Sequence, residues 1–315
     1  MSSARRRVVL DCDPGHDDAL AILLAAASSA LELEAITTVA GNQTLDKVSL
    51  NARRVCSVAG ITGVPIAAGC DRPLRRQRIV AGEIHGASGL DGVDWNEPTV
   101  ELDPRHAVDL LVDHALRDAG RPLTVIAVGP LTNVATALHR APKIAERLER
   151  IVIMGGAIGL GNWTPSAEFN IVADPEAAEV VFASGCPITL VPLEVTHRAL
   201  ATESVIARIA ALDTPVAAMS VALMRFFADT YDRVFGFPAP AVHDPCAVAA
   251  VIHAGVVPTR HLNVAIDTDS ELSAGRTVID VYGTTGRGPN ADVGMDLEVE
   301  RFWELMLEAI ATYRA

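Results

Sequence analysis

Short, almost wholly apolar runs recur along the chain, each followed by a turn signal and then by apolar residues at helical spacing. Val8 to Leu10 precedes a helical pattern over Asp18 to Ala27, Leu33 to Val39 precedes Asp46 to Ala59, and Leu123 to Val128 precedes Thr132 to Leu138. Ile151 to Met154 and Ile188 to Val191 read as further strands of the same kind, Cys246 to Ile252 as an apolar helix, and Val299 to Tyr313 as a closing amphipathic helix. Strands without polar alternation are buried on both faces. Alternating with helices, they predict an α/β fold, an open, mainly parallel, doubly wound sheet flanked by helices. Ligands of such sheets bind outside the carboxyl ends of the strands, so chemistry is expected in the loops just after each run. With no internal repeat or long linker in the pattern, residues 1–315 are expected to form a single domain.

Composition narrows the class. With 315 residues, 50% of them hydrophobic and 21% charged, the chain has the make-up of a soluble globular protein. Its net charge of −13 argues against a nucleic-acid polymer or an anionic membrane as partner. Arg5-Arg6-Arg7 is a short basic run, expected to be a solvated flank at an edge of the first strand. It leads into a hydrophobic run too short for a secretory leader, and Ala19 to Ala27 is too short to span a bilayer. The five cysteines are odd in number and form no CxxC pair. A reducing, cytoplasmic setting is therefore expected, rather than a disulfide framework or a zinc ribbon.

Asp11, Asp13, Asp17 and Asp18 place four carboxylates within eight residues, directly after the first apolar run. Such repulsion is tolerated when a cation sits among the oxygens. An EF-hand loop counted from Asp11 would need glycine where His16 stands, and an all-oxygen donor set disfavours zinc. A Ca²⁺ or Mg²⁺ site built from Asp13, Asp18 and a distant carboxylate fits better, leaving Asp17 free for another task. Attraction to a helix N-terminus would account for Asp17 and Asp18 alone, but not for Asp13 with Pro14-Gly15 as well.

His243-Asp244-Pro245, at the head of the Cys246 to Ile252 run, offers a distant carboxylate and a histidine suited to act as acid or orienter. Taken alone, the pair also reads as a helix cap beside a surface histidine. His106, His114, His139, His253 and His261 carry no such signal. The other loops at strand ends are oxygen-rich or permissive of unusual backbone: Gly41-Asn42, Gly129 to Asn133, Gly155-Gly156, and Asn162 to Asn170. Asp71 to Pro98, rich in Gly, Arg and Asp, reads as a long functional loop or lid. The glycines of Gly156 to Gly161 stand in the wrong order for a dinucleotide site, and no nucleophile elbow, Walker loop or HExxH helix is present in the sequence. Asp11-Cys12-Asp13 also imitates the nucleophile and acid of haloacid dehalogenase-type phosphatases. Pro14-Gly15 and the lack of a convincing lysine motif weigh against that reading.

The motifs Asp11 to Ala19, Thr37 to Asn42, Ile84-His85-Gly86, Val128 to Asn133, Met154 to Ala157, Ala167 to Asn170 and His243-Asp244 run in order across nearly the whole chain. Together they closely resemble the inosine-uridine-preferring nucleoside hydrolase family. The resemblance implies an open α/β fold, a tightly held Ca²⁺, and hydrolysis of the N-glycosidic bond of ribonucleosides, pyrimidine or purine, to ribose and free base. By the same resemblance, Asp13 is a metal ligand that also serves as the base activating water. Asp18 and Asp244 are carboxylate ligands, and Val128 contributes its main-chain carbonyl. Asp17, Asn42, Asn162, Glu168 and Asn170 match residues that bind the ribose hydroxyls, and Met154 matches one lining the ribose pocket. Phe169 and His85 fall where the family contacts sugar or base, His243 matches the leaving-group residue, and Tyr231 lies in a segment that supplies a base-side contact. A homodimer or homotetramer is also implied. A nucleoside-binding protein without turnover is disfavoured, since every matched catalytic position is filled.

Overall fold

In the computed structural model, which describes residues 5–118 and 120–313, nine strands form one sheet. They are β1 (Arg6–Cys12), β2 (Leu31–Thr38), β3 (Ile66–Ala68), β4 (Leu123–Ala127), β5 (Leu148–Met154), β6 (Ile188–Val191), β7 (Thr259–Ile266), β8 (Thr277–Asp280) and β9 (Ala291–Gly294). Their order is β3-β2-β1-β4-β5-β6-β9-β7-β8. Every pair from β3 through β9 is parallel, and β7 then joins both β9 and β8 antiparallel. The expected open, mainly parallel, doubly wound sheet is therefore present. Its chain order reverses between β1 and β4, so a crevice opens at the carboxyl ends of those two strands.

Pleating sends successive side chains to opposite faces. Val8, Leu10 and Cys12 of β1, with Ile126 of β4, join one buried cluster that also takes in the helices His16–Ala27, Asp244–Ile252 and Val299–Thr312. Val9 of β1 and Val125 and Ala127 of β4 face a second cluster, built with the helices Ala107–Arg117, Thr132–Arg140 and Pro175–Phe182. The helix His16–Ala27 is buried nearly all round, which explains its continuous apolar run. Truncating Leu24 to alanine in that setting should cost about 2–5 kcal/mol.

The first helix starts at His16 rather than at Asp18. Gly15 is its N-cap, and the Asp18 carboxylate accepts the Gly15 N–H at 2.9 Å, so part of the acidic cluster closes the helix end. The antiparallel strands β7 to β9 and the long helix Pro215–Phe235 were not anticipated. β7 and β8 are partly exposed and so lack the apolar runs that mark the central strands, and β9 is only four residues long.

The basic run divides: Arg5 and Arg6 are exposed, as a solvated flank would be, but Arg7 is not. β1 lies inside the sheet and Arg7 is only 3% exposed. Its guanidinium donates from Nε to Glu34 Oε1 at 2.5 Å and from Nη2 to Glu34 Oε2 at 2.9 Å, and the His114 Nδ1 lies 2.6 Å from the same Oε2. Glu34 is itself an irregularity. Val8 pairs with Leu33 but Val9 pairs with Ala35, so β2 carries one extra residue there, and the bulge is pinned by an ion pair. Among the described residues, no helix is long and apolar enough to cross a membrane.

Candidate active site

The crevice between β1 and β4 is floored by carboxylates. Asp13, the first residue beyond β1, is fully buried. Its Oδ2 accepts the Asn42 main-chain N–H at 2.6 Å, and its own N–H donates to Asp18 Oδ1 at 3.0 Å. The Asn42 side chain donates from Nδ2 to Asp18 Oδ2 and to the Asp13 carbonyl, both at 3.1 Å. Asp17 Oδ2 accepts the His243 main-chain N–H at 3.2 Å, which ties the first loop to the helix Asp244–Ile252 from the far end of the chain. Asp17, Asp18 and Asp244 each offer an oxygen within 4.8 Å of the others.

This arrangement is electrostatically incomplete. Burial, then the Asp18 charge, pushes the Asp13 carboxyl well above its ordinary range, and the same two causes push Asp17 up to about 7. Burial, then Asp17 and Asp18, raises Asp244 well above that range too. Among the described residues, the buried Asp13 Oδ1 has no hydrogen-bond donor at all. Glycines on both sides leave it room: a Cβ on Gly129 would lie 2.6 Å from Oδ1, and one on Gly41 would lie 2.1 Å from Oδ2. Crowded buried carboxylates with an orphaned oxygen fit a hard divalent cation with oxygen ligands, and neither nitrogen nor sulfur is offered for a softer one. The Val128 carbonyl faces the same region and accepts from Asn170 Nδ2 at 2.9 Å.

Above this floor is a cavity of about 320 Å³, large enough for a small organic ligand. Asp17, Asn42, His85, Val128, Met154, Asn162, Glu168, Phe169, Asn170, Tyr231, His243 and Asp244 line it, while Asp13 and Asp18 lie buried beneath. The structure thus brings these site residues together, while Asp11, the remaining member of the acidic cluster, is bonded instead to Thr37 and Asn133. Glu168 caps the helix Phe169–Ala173, accepting from the N–H groups of Gly156, Asn170 and Ile171, and burial pushes its carboxyl up to about 7. Asn162 Oδ1 accepts the Phe169 N–H at 2.9 Å, which fixes one side of the mouth.

The opposite wall is neutral and aromatic. Burial, then the neighbouring His197, pushes His243 down to about 3, so its ring is uncharged at neutral pH. Its Nδ1 lies 2.7 Å from the Thr196 hydroxyl, and its Nε2 is hydrogen-bonded with the Tyr231 hydroxyl. His85, on the short turn Gly82–His85 within the Asp71 to Pro98 segment, is held well below its ordinary range by burial, then by His16 and His243. His85 Nδ1 sits 3.0 Å from His16 Nδ1, and the His16 ring stacks on the His85, Phe226 and Phe227 rings at 5.0–5.3 Å. A Cβ on Gly15 would lie 2.6 Å from the His85 ring, so only glycine admits that contact.

Sequence reasoning missed His16, Thr196 and Phe227 as parts of this wall, and on the other side Trp163, which meets the Phe169 ring edge-on at 5.0 Å. His16 stood inside the first motif and was readable as a candidate. Thr196 had no signal, because its role depends on a packing contact with a residue 47 positions away.

Comparison with known proteins agrees with this geometry. Residues 8–304 match the family model described as inosine-uridine preferring nucleoside hydrolase. A pyrimidine-specific ribonucleoside hydrolase RihA from Salmonella arizonae is 44% identical over 307 residues, covering 97% of this chain and 98% of the relative. The inosine-uridine preferring nucleoside hydrolase of Crithidia fasciculata is 44% identical over 306 residues, covering 97% of each. Among solved structures, a purine-preferring ribonucleoside hydrolase from Gardnerella vaginalis superposes with a TM-score of 0.91 at 30% identity, covering 98% of this chain and 99% of that one.

Proposed function

Because the chain belongs to the inosine-uridine preferring nucleoside hydrolase family, we propose that it hydrolyses the N-glycosidic bond of ribonucleosides, pyrimidine or purine, with Ca²⁺ as its resident ion. Asp13, Asp18, Asp244 and the Val128 carbonyl would hold the ion. A cage supplied mainly by protein carboxylates suits Ca²⁺ better than Mg²⁺, which retains more of its water. When bound, the ion acts as a Lewis acid that orients the ribose 2′ and 3′ hydroxyls and makes a water easier to deprotonate.

The observation that carries this reading is the pairing of one buried, donor-free carboxylate oxygen, Asp13 Oδ1, under the cavity with a neutral imidazole and phenol on the cavity's wall. Breaking a ribosyl C–N bond develops positive charge on the sugar and negative charge on the base, so the two tasks need separate walls. In this reading, Asp13 Oδ1 takes a proton from the attacking water, while the Asn42 N–H holds Oδ2 in place. Asp17, Asn42, Asn162, Glu168 and Asn170 pair with the ribose hydroxyls, and Met154 and Phe169 shape the sugar pocket. His243, oriented by Thr196, works with Tyr231 to give the departing base a hydrogen-bond donor, and His85 contacts the base or the sugar from the side.

Residues 1–315 act in this reading as one catalytic domain of a cytoplasmic homo-oligomer, dimer or tetramer, and light scattering on the purified protein would measure the assembly. The deciding experiment is a panel of uridine, cytidine, inosine, adenosine and guanosine, followed by reducing-sugar release before and after exhaustive chelation. Ribose release that stops on chelation and returns with Ca²⁺ is expected. Full activity without divalent cations would overturn the assigned role of the ion.

A further inference from the structure

Behind the aromatic wall lies a second cavity of about 530 Å³. Asn162, Tyr231 and Phe235 border both cavities, whereas Leu160, Leu193, Glu194, His197 and Phe237 border only the second. The two spaces are therefore separated by the thickness of one row of side chains. The rings of the second cavity form a connected cluster: Tyr231 is 5.1 Å from Phe235, and the His197 ring meets Phe237 edge-on at 5.2 Å. His197 also meets the His243 ring at 5.6 Å, so it backs onto the residue assigned to the leaving base. Among the described residues, neither nitrogen of the half-buried His197 ring has a hydrogen-bond partner. The Glu194 carboxylate accepts the N–H groups of Ile158 at 2.9 Å and Gly159 at 2.8 Å, holding the loop that carries Leu160 at the cavity edge.

Aromatic walls beside one half-buried imidazole suit a flat, uncharged heterocycle that offers N–H and C=O groups at its edge. We propose that this cavity is a product subsite that takes the free nucleobase after bond cleavage, across the Tyr231 and Phe235 wall, while ribose still occupies the acidic floor. The inference rests on the hydrolase reading above and adds a second base-binding position to it. His197 pairs with the edge of the base, and Phe235 and Phe237, 6.1 Å apart and tilted by 51° to one another, pack against one side of it.

The test is equilibrium dialysis of the Ca²⁺-loaded protein with radiolabelled uracil and hypoxanthine, in the presence of saturating pseudouridine, whose carbon-linked base blocks the catalytic cavity without being cleaved. Saturable binding of about one base per chain is expected to persist under the block. Leu160→Trp, at the cavity edge and 79% exposed, narrows the mouth of the second cavity and should weaken that binding at least tenfold while leaving ribose release in a single turnover unchanged. Phe237→Ala should weaken binding similarly. Displacement of all label by pseudouridine, absence of saturable binding, or wild-type affinity in both variants overturns the subsite. Ribose release from the same preparation keeps the two readings apart. A protein that releases ribose yet binds no base under the block refutes only the subsite, whereas one that cleaves no nucleoside refutes the hydrolase.

Discussion

The floor and the aromatic wall of the active cavity solve opposite electrostatic problems by opposite means. On the floor, charge is concentrated: Asp13, Asp17, Asp18 and Asp244 are buried together, held by main-chain N–H groups and the Asn42 amide. On the wall, charge is kept out, because burial holds His16, His85 and His243 in their neutral forms among phenyl rings. A site that must stabilise a cationic sugar and an anionic leaving group gains from this separation, since each wall then interacts with one developing charge. The comparison also shows which wall needs something from outside. The wall's His243 nitrogens are already paired, but the floor keeps an orphaned oxygen.

Substitutions break the comparison one side at a time. In the proposed mechanism Asp13→Ala removes the base and a ligand together, so it should lower kcat by about 10⁴-fold or more and release the proposed Ca²⁺. Retained activity with retained metal in that variant would remove Asp13 from the mechanism. Replacing a ribonucleoside by its 2′-deoxy analogue leaves the protein intact but strands oxygens arranged for a hydroxyl, so kcat/KM should fall by about 10³-fold or more. Comparable turnover of the two sugars at subsaturating concentration would show that the floor does not read the 2′ position.

His243→Ala acts on the other wall and should lower kcat by about 10²-fold for natural nucleosides. Metal content should be unchanged, and a nitrophenyl riboside, which leaves without help, should be nearly unaffected. Equal losses on both substrates, or metal loss matching that of Asp13→Ala, would mean that the two walls are not separate. Tyr231→Phe, which keeps the ring and removes only the hydroxyl partner of His243 Nε2, should cost about tenfold in kcat with KM little changed. A shift confined to KM would make Tyr231 a binding residue instead.

The same contrast explains what could be read from the sequence. The central strands and much of the floor were legible because their signals are local: a two-sided buried strand is a continuous apolar run, and Asp11 to Asp18 crowds charge into one loop. The roles within the floor were less visible. Asp11 turned out to accept from Thr37 Oγ1 at 2.6 Å and Asn133 Nδ2 at 2.8 Å, joining β1 to β2 and to the helix after β4. The wall was legible only in part: His243 stood out beside Asp244 at a helix start, but His85 and Tyr231 came from the resemblance to a family. His16, Phe227 and Thr196 meet those residues through folding of segments far apart in the chain, and no spacing records such a meeting. Arg7 was misread for a related reason: its partners Glu34 and His114 lie 27 and 107 residues away, so the run Arg5-Arg6-Arg7 looked uniformly solvated.

The extra residue in β2 has a consequence for how this chain tolerates a change of length. Leu33 and Ala35 pair with the consecutive residues Val8 and Val9, so Glu34 stands outside the ladder and the pairing beyond it does not depend on it. Deleting Glu34 should leave Thr37 opposite Asp11 and the Asn42 N–H beside Asp13, while removing the carboxylate that Arg7 and His114 clasp. The buried Arg7 guanidinium would then be without its counter-charge, so the loss should fall on stability and spare the chemistry at the other end of the sheet. The bulge is a holder for one charge, and the spacing of the catalytic loops is set elsewhere in the strand.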